Sequence, residues 1–295
     1  MCDGAVPFTF PKRHCVEHPI WSRPVASQPY DGPDRRKRLP VLGMRLRDFD
    51  VGQAADHMLT CPRGEEEGVG LFVTPNIQHV ALARDNKDFA EAMKSAQIVV
   101  ADGFPVYRFA RARGLFLPGR ITGREVIENM FSQPERLVGH RGYFVVDSAE
   151  TATKIEAWAA ETFPGLMVHT HVPDFGFEND IESSAALAID INAFGTTLLF
   201  LCVGAPKSEV FVHRHRNLLR PCWALCVGQS FRLLVGMTTP PPALIVRLNL
   251  EWLWRIALEP GRMLRRYVPS ALGFLHSVAG DLRWNRQPSN HGDHQ

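Results

Sequence analysis

Two short corners in this chain place polar, chemistry-bearing residues at the ends of apolar runs. In VTPNIQHV, residues 73 to 80, the run stops at Thr74-Pro75-Asn76; in QIVVADG, residues 97 to 103, it stops at Asp102-Gly103, 26 residues beyond Asn76. Pro75 fits the first turn of a helix, NIQHVALARD, whose free amides would face a cleft and suit an anion. The plainer reading is that Thr74 or Asn76 is an ordinary cap and Asp102-Gly103 a turn before the helix FPVYRFARAR, and local chemistry alone favours it. Asp48-Phe49-Asp50 spells the D-x-D by which some sugar-nucleotide enzymes hold a divalent cation on a diphosphate. It precedes the helical run VGQAADHML, where Asp50 serves more simply as an N-cap. Cys222 and Cys226 have no second Cys or His pair at ligand spacing, and His213 and His215 fall on a helical pattern, so no metal site is expected.

These residues need elements to hold them, and the pattern of the chain supplies a parallel sheet. Apolar, β-branched runs stand at residues 69–74, 97–102, 141–147, 166–172, 197–204 and 223–228. Segments of helical period separate them, the clearest being TATKIEAWAAETF at 151–163, with Asp147 and Ser148 as caps and Pro164-Gly165 as the stop. Repeated strand-helix alternation predicts an α/β fold, a Rossmann-like, mostly parallel sheet with helices on both faces. Ligands of such sheets bind beyond the carboxyl ends of the strands, where Thr74 and Asp102 both stand.

The chain has 295 residues, 45% of them hydrophobic, enough to bury a substantial core. Its formal charge of +2 gives no support to a nucleic-acid partner. Neither G-x-G-x-x-G after a strand nor a P-loop occurs, which argues against a dinucleotide dehydrogenase or P-loop enzyme and calls for no organic cofactor. The six cysteines are scattered, with Cys202 and Cys226 inside strand-like runs, as expected of reduced core residues in a cytosolic protein. No signal-peptide core and no unbroken run of 18 apolar residues is present, so neither export nor a membrane span is expected. Residues 1–38, rich in Pro, Arg, Asp and Ser, read as a poorly ordered arm, 39–241 as the α/β domain, 242–284 as a helical appendage and 285–295 as a disordered tail. The appendage mixes Arg247, Arg255, Arg262, Arg265 and Arg266 with Trp252, Trp254, Leu264 and Tyr267, a basic and aromatic amphipathic pattern suited to an anionic membrane surface, or to ordinary packing on the domain.

Five stretches, VTPNIQHVALAR, IVVADGFPV, RITGREV, LCVGAPKSEVFVHRHR and LEWLWRIALEPGRMLRRYV, resemble in order the signature blocks of the WecG/TagA/CpsF family, glycosyltransferase family 26, over residues from about 40 to about 275. The resemblance implies transfer of a sugar from a UDP-sugar to a polyprenyl-diphosphate-linked saccharide in bacterial surface polysaccharide synthesis, with inversion and without a metal. N-acetylmannosamine, its uronic acid and glucose all fit such signatures. Asp102 then matches the family's catalytic base, with Thr74 catalytic and Asn76 orienting sugar and acceptor. Gly103, Thr122, Gly123, Gly204, Pro206, Lys207 and Glu209 fall in the substrate-binding blocks. Arg255, Arg262, Arg265 and Arg266 would meet the departing diphosphate or lipid headgroups, because guanidinium forks suit phosphate oxygens. The implied location is cytoplasmic, on the inner face of the plasma membrane, and self-association as a homo-oligomer is compatible with it. The chain departs from the family pattern at Ser208 (P-K-S-E for P-K-Q-E), at Arg232, which stands in GQSFR where an acidic residue is usual, and at Thr239 in place of a basic residue. These changes keep open a scaffolding relative in a polysaccharide assembly complex.

Overall fold

Alternating apolar side chains decide the architecture. In the strand β1 (Gly70–Val73), Leu71 and Val73 join one core and Phe72 the other, and β2 (Ile98–Val99), β3 (Arg141–Val145), β5 (Leu198–Leu201) and β6 (Trp223–Cys226) divide in the same way. A strand turns successive side chains to opposite faces, so a sheet apolar at every position must be covered on both. The remaining strand, β4 (Met167–His171), is partly exposed, as suits a sheet edge. All six strands are parallel, in the order β2-β1-β6-β5-β3-β4. One row of paired residues, Val99, Val73, Cys226, Leu201, Val145 and His171, crosses the sheet side by side. The segments after them therefore open on the same edge.

The computed structural model describes residues 40–239, 241–242, 244–245 and 250–284. The arm expected at 1–38, most of 242–249 and the tail at 285–295 lie outside the described residues. Helices α1 (Val51–Thr60), α5 (Gly123–Met130), α6 (Ala149–Thr162) and α9 (Ser230–Leu234) bury Met58, Ile127, Ile155 and Phe231 against one face. On the other face α2 (Ile77–Asp85), α3 (Lys87–Ser95), α4 (Phe104–Ala112), α7 (Ile181–Phe194) and α8 (Lys207–His215) bury Val80, Met93, Val106, Leu187 and Phe211. Each of the six apolar runs contains a strand. The helix expected at 151–163 begins at Ala149, capped by Ser148, whose Oγ accepts the Thr151 N–H. Asp50 caps α1 through a reciprocal box with Gln53, as expected from the sequence.

Pro75 is not in the first turn of α2. That helix starts at Ile77 with Asn76 as its N-cap, and the Pro75 carbonyl accepts the Asp102 N–H at 3.1 Å. A cap whose oxygen satisfies a free amide outweighs the preference of proline for the first helical position. The thiols of Cys202, Cys222 and Cys226 are buried and unpaired, and burial pushes their pKa values up, that of Cys222 to about 12.

Towards the C-terminal end of the described residues stand the helices α10 (Glu251–Leu258) and α11 (Pro260–Trp284). The second lies along α2 at very short range, since a Cβ placed on Gly273 would stand 2.6 Å from the Ala81 Cβ. Its far end is fixed by Asp281, which pairs with Arg113 at 3.0 Å and accepts the Leu42 N–H at 2.7 Å. None of the described helices is long and apolar enough to cross a membrane.

Candidate active site

The two corners meet at the sheet edge. Beyond β1 and β2 the chain paths touch: Asp102 donates its N–H to Pro75, and a Cβ on Gly103 would stand 3.1 Å from Asn76 Cβ and 3.2 Å from its Cα. A side chain at 103 would push these tips apart by a few tenths of an ångström. The next connection folds back to them, because Ile121 N–H bonds Ala101 C=O at 2.9 Å and the Cβ position of Gly123 lies 3.5 Å from Thr74 Oγ1. Thr74, Asn76, Asp102, Gly103, Thr122 and Gly123 thus surround one corner. Thr122 uses its hydroxyl locally: it caps α5, accepting from Glu125 N–H and donating to Glu125 Oε2. Gly103 caps α4 with no side-chain partner for that helix's first amides.

Arg120, which the sequence does not single out, connects this corner to the C-terminal helices. Its guanidinium lies 3.8 Å from Asp102 Oδ1 and 3.6 Å from Oε1 of Glu251, the first residue of α10. All three side chains are about one-fifth to one-quarter exposed. Arg120 opens the block RITGREV, and a charge two residues before a helix cap carries no one-dimensional sign of a partner 131 positions later.

Of the C-terminal arginines, Arg265 and Arg266 are exposed on α11. Arg255 stands in α10 one turn beyond Glu251 and Arg262 in the first turn of α11, and both side chains lie outside the described residues.

Gly204, Pro206 and Lys207 stand beyond β5, two strands from β1 in the sheet order and at the same edge. Gly204 takes φ +81°, a conformation that favours glycine, and Pro206 caps α8. The Lys207 ammonium lies 4.7 Å above the ring of Phe175. Glu209 is withdrawn from the cleft, 2% exposed, facing His79 of α2 at 3.7 Å. The Glu209 carboxylate also adds to the burial that raises the Cys226 thiol. The departures from the family pattern are accommodated: Ser208 bonds Gly204 C=O, and Arg232 pairs with Asp147 at 3.1 Å, where Asp147 also accepts from Gln229 and Thr151. Thr239 is exposed.

A doubly wound α/β sheet with a hydroxyl, an amide and a carboxylate gathered at its carboxyl edge defines a ligand-binding enzyme of the Rossmann-like class. The model of the glycosyl transferase WecG/TagA/CpsF family matches residues 39–288, and the chain belongs to that family of glycosyltransferases. It is 24% identical over 241 residues to an N-acetylglucosaminyldiphosphoundecaprenol N-acetyl-beta-D-mannosaminyltransferase of Bacillus spizizenii, a match that covers 79% of this chain and 90% of the relative. A protein of the same description from Bacillus subtilis is 23% identical over 194 residues, covering 65% of this chain and 72% of that one.

Proposed function

We propose that the chain transfers an N-acetylmannosaminyl group from its UDP derivative to a polyprenyl-diphosphate-linked N-acetylglucosamine in bacterial surface polysaccharide synthesis, with inversion and without a metal ion. The observation that carries this reading is the tie from Asp102 through Arg120 to Glu251, which brings a carboxylate at the sheet edge and the arginine-bearing helices to one place. The choice of sugar and acceptor follows the description of the two relatives.

Asp102 accepts the proton of the acceptor hydroxyl as that oxygen attacks the anomeric carbon, and the bond to the UDP oxygen breaks on the opposite side. One displacement inverts the centre. A base so placed contributes roughly 10²–10⁴-fold to the rate. Thr74 and Asn76 hold the reacting groups in line, and the glycines at 103 and 123 let them lie close. The diphosphate leaves with its charge met by arginine, for which Arg255, one turn beyond Glu251, is the nearest candidate along α10, with Arg262, Arg265 and Arg266 further along. Lys207, Gly204 and Pro206 border the nucleotide end of the same edge. Metal independence is supported by Asp50, whose carboxylate is engaged in the α1 cap.

Residues 39–241 form the catalytic domain and 242–284 the appendage, which rests on the inner face of the cytoplasmic membrane. Supporting this, α11 leaves Leu264, Val268, Leu272 and Leu275 exposed at spacings of four, four and three, on one side of the helix, and α10 exposes Trp252, Leu253 and Leu258. Apolar side chains in such a stripe enter the headgroup boundary, and each nearby basic residue adds on the order of 1 kcal/mol on an anionic surface.

The test is incubation of the purified chain with UDP-N-acetylmannosamine, its uronic acid and UDP-glucose, each with a short-chain lipid-diphosphate N-acetylglucosamine, with products read by mass. Addition of one N-acetylhexosamine is expected. No product with any donor, or transfer without the lipid-linked acceptor, would contradict the proposal.

A further inference from the structure

A second network lies behind the corner, built from residues 130 positions apart in the chain. Glu209, in the first turn of α8, is buried, and its Oε2 has no hydrogen-bond partner among the described residues. Its Oε1 faces Nε2 of His79 at 3.7 Å, within ion-pair distance. The other ring nitrogen, Nδ1, lies 3.0 Å from Asn76 Oδ1. That oxygen also accepts the Gln78 N–H at 3.0 Å, which identifies it as the carbonyl end of the amide. Two acceptors at 3.0 Å would repel, so Nδ1 carries a proton and donates it to Asn76. The Asn76 N–H also points at Nδ1, but at 3.4 Å, and the shorter contact governs the assignment.

The consequence falls on the cleft. With two donors already on its Oδ1, Asn76 can offer only its Nδ2 amide hydrogens to anything else. We infer that Glu209 and His79 are positioning residues that fix Asn76 as a hydrogen-bond donor, so that it recognises an acceptor oxygen of the nucleotide sugar beside Asp102. Glu209 bounds the ring on the buried side, at 3.7 Å and so beyond hydrogen-bond length, and the ring holds the amide. The part concerning the ligand rests on the function proposed above; the donor arrangement does not.

Four measurements test it. In the full chain labelled with ¹⁵N-histidine, long-range ¹H–¹⁵N spectra at pH 7 should show the His79 Nδ1 protonated, the ring being assigned by its loss in His79→Gln; an unprotonated Nδ1 would overturn the inference whatever the activity. The second compares His79→Gln, whose amide can still donate to Asn76, with His79→Phe, which keeps an aromatic ring against Phe89, now 5.9 Å away between centroids. If His79 acts through its hydrogen bond, Gln should retain most of kcat/KM while Phe loses roughly tenfold or more. If the ring merely packs, Phe should be the better enzyme, and the positioning role is wrong. Thirdly, Glu209→Gln combined with His79→Phe should be no worse than His79→Phe alone, since the pair acts as one unit; independent, multiplying losses would contradict that. Binding separates the two sources of the acceptor oxygen. A diphosphate contact weakens UDP and UDP-N-acetylmannosamine alike in His79→Phe, and a sugar contact weakens only the latter. Unchanged affinity for both, with unchanged kcat, overturns the role assigned to Asn76. If the wild type binds no UDP-sugar, the nucleotide-sugar reading fails and takes the ligand assignment with it, while the ring spectrum still decides the donor geometry.

Discussion

Replacing Gly273 with alanine sets two effects of known sign against each other. Alanine in place of glycine inside a helix contributes about 1 kcal/mol of intrinsic helix preference. At Gly273, however, the new Cβ would stand 2.6 Å from Ala81 Cβ and 3.1 Å from Ala81 Cα, both belonging to a helix that cannot swing aside as a flexible side chain would. Carbon contacts are comfortable at about 3.5–4.0 Å, so α11 must move off α2 by roughly 1 Å. Overpacking of that kind costs about 1–3 kcal/mol and should exceed the gain. The net cost is then up to about 2 kcal/mol, and with about 2–4 °C per kcal/mol for a domain of this size Gly273→Ala should lower the Tm by up to roughly 8 °C. Gly280, in the same helix, has no atom within 4 Å of its Cβ position, so Gly280→Ala carries only the gain and should raise the Tm by about 1–4 °C. Thermal unfolding followed by circular dichroism reads both. Equal stabilisation in the two variants would refute the close crossing of α11 on α2, and with it the argument that the C-terminal helices are fixed parts of the site.

Acid should destabilise the fold. Burial, with help from nearby arginines at His57, His213 and His215, holds these three and His140 below the ordinary histidine range, so the unfolded chain binds more protons as pH falls through about 6.5. Urea midpoints should therefore decline from pH 7 to pH 5; a flat or rising profile contradicts the burial of these rings. Chelation with EDTA should leave transfer intact, and activity that vanished and returned with magnesium or manganese would make Asp48 and Asp50 candidate ligands. A chain ending near residue 241 should neither pellet with anionic liposomes nor turn over a water-soluble acceptor, and a truncated chain that does both would reduce α10 and α11 to packing elements.

The parts of the fold written locally were legible from the sequence. Runs such as GLFV and LLFL are apolar at successive positions because both faces of the strand are covered, and the corners that end them carry their own punctuation in Pro75 and Gly103. What depends on which strands become neighbours was not legible. Nothing near Trp223 announces that β6 pairs with β1, some 150 residues earlier, yet that pairing brings Val227 beside Gly123 and Thr74. The same holds for Arg120 and Glu251, and for His79 and Glu209, whose roles exist only once distant segments meet. Pro75 shows a local conflict: two rules applied to adjacent residues, and the stronger hydrogen bond, at Asn76, decided the helix start. The C-terminal arginines were recognisable by composition, whereas the crossing that holds their helices depends on one small residue, Gly273, opposite another, Ala81.

The role proposed for Asp102, base of a single-displacement transfer, is tested most directly by pairing binding with turnover in Asp102→Asn. The exchange keeps size and removes the charge, so affinity for UDP-N-acetylmannosamine by calorimetry should stay within about threefold, while single-turnover transfer to the lipid-diphosphate acceptor falls by roughly 10²–10⁴-fold. Turnover equal to that of the wild type, at unchanged affinity, would show that the proton is taken elsewhere and that this corner is not the catalytic one.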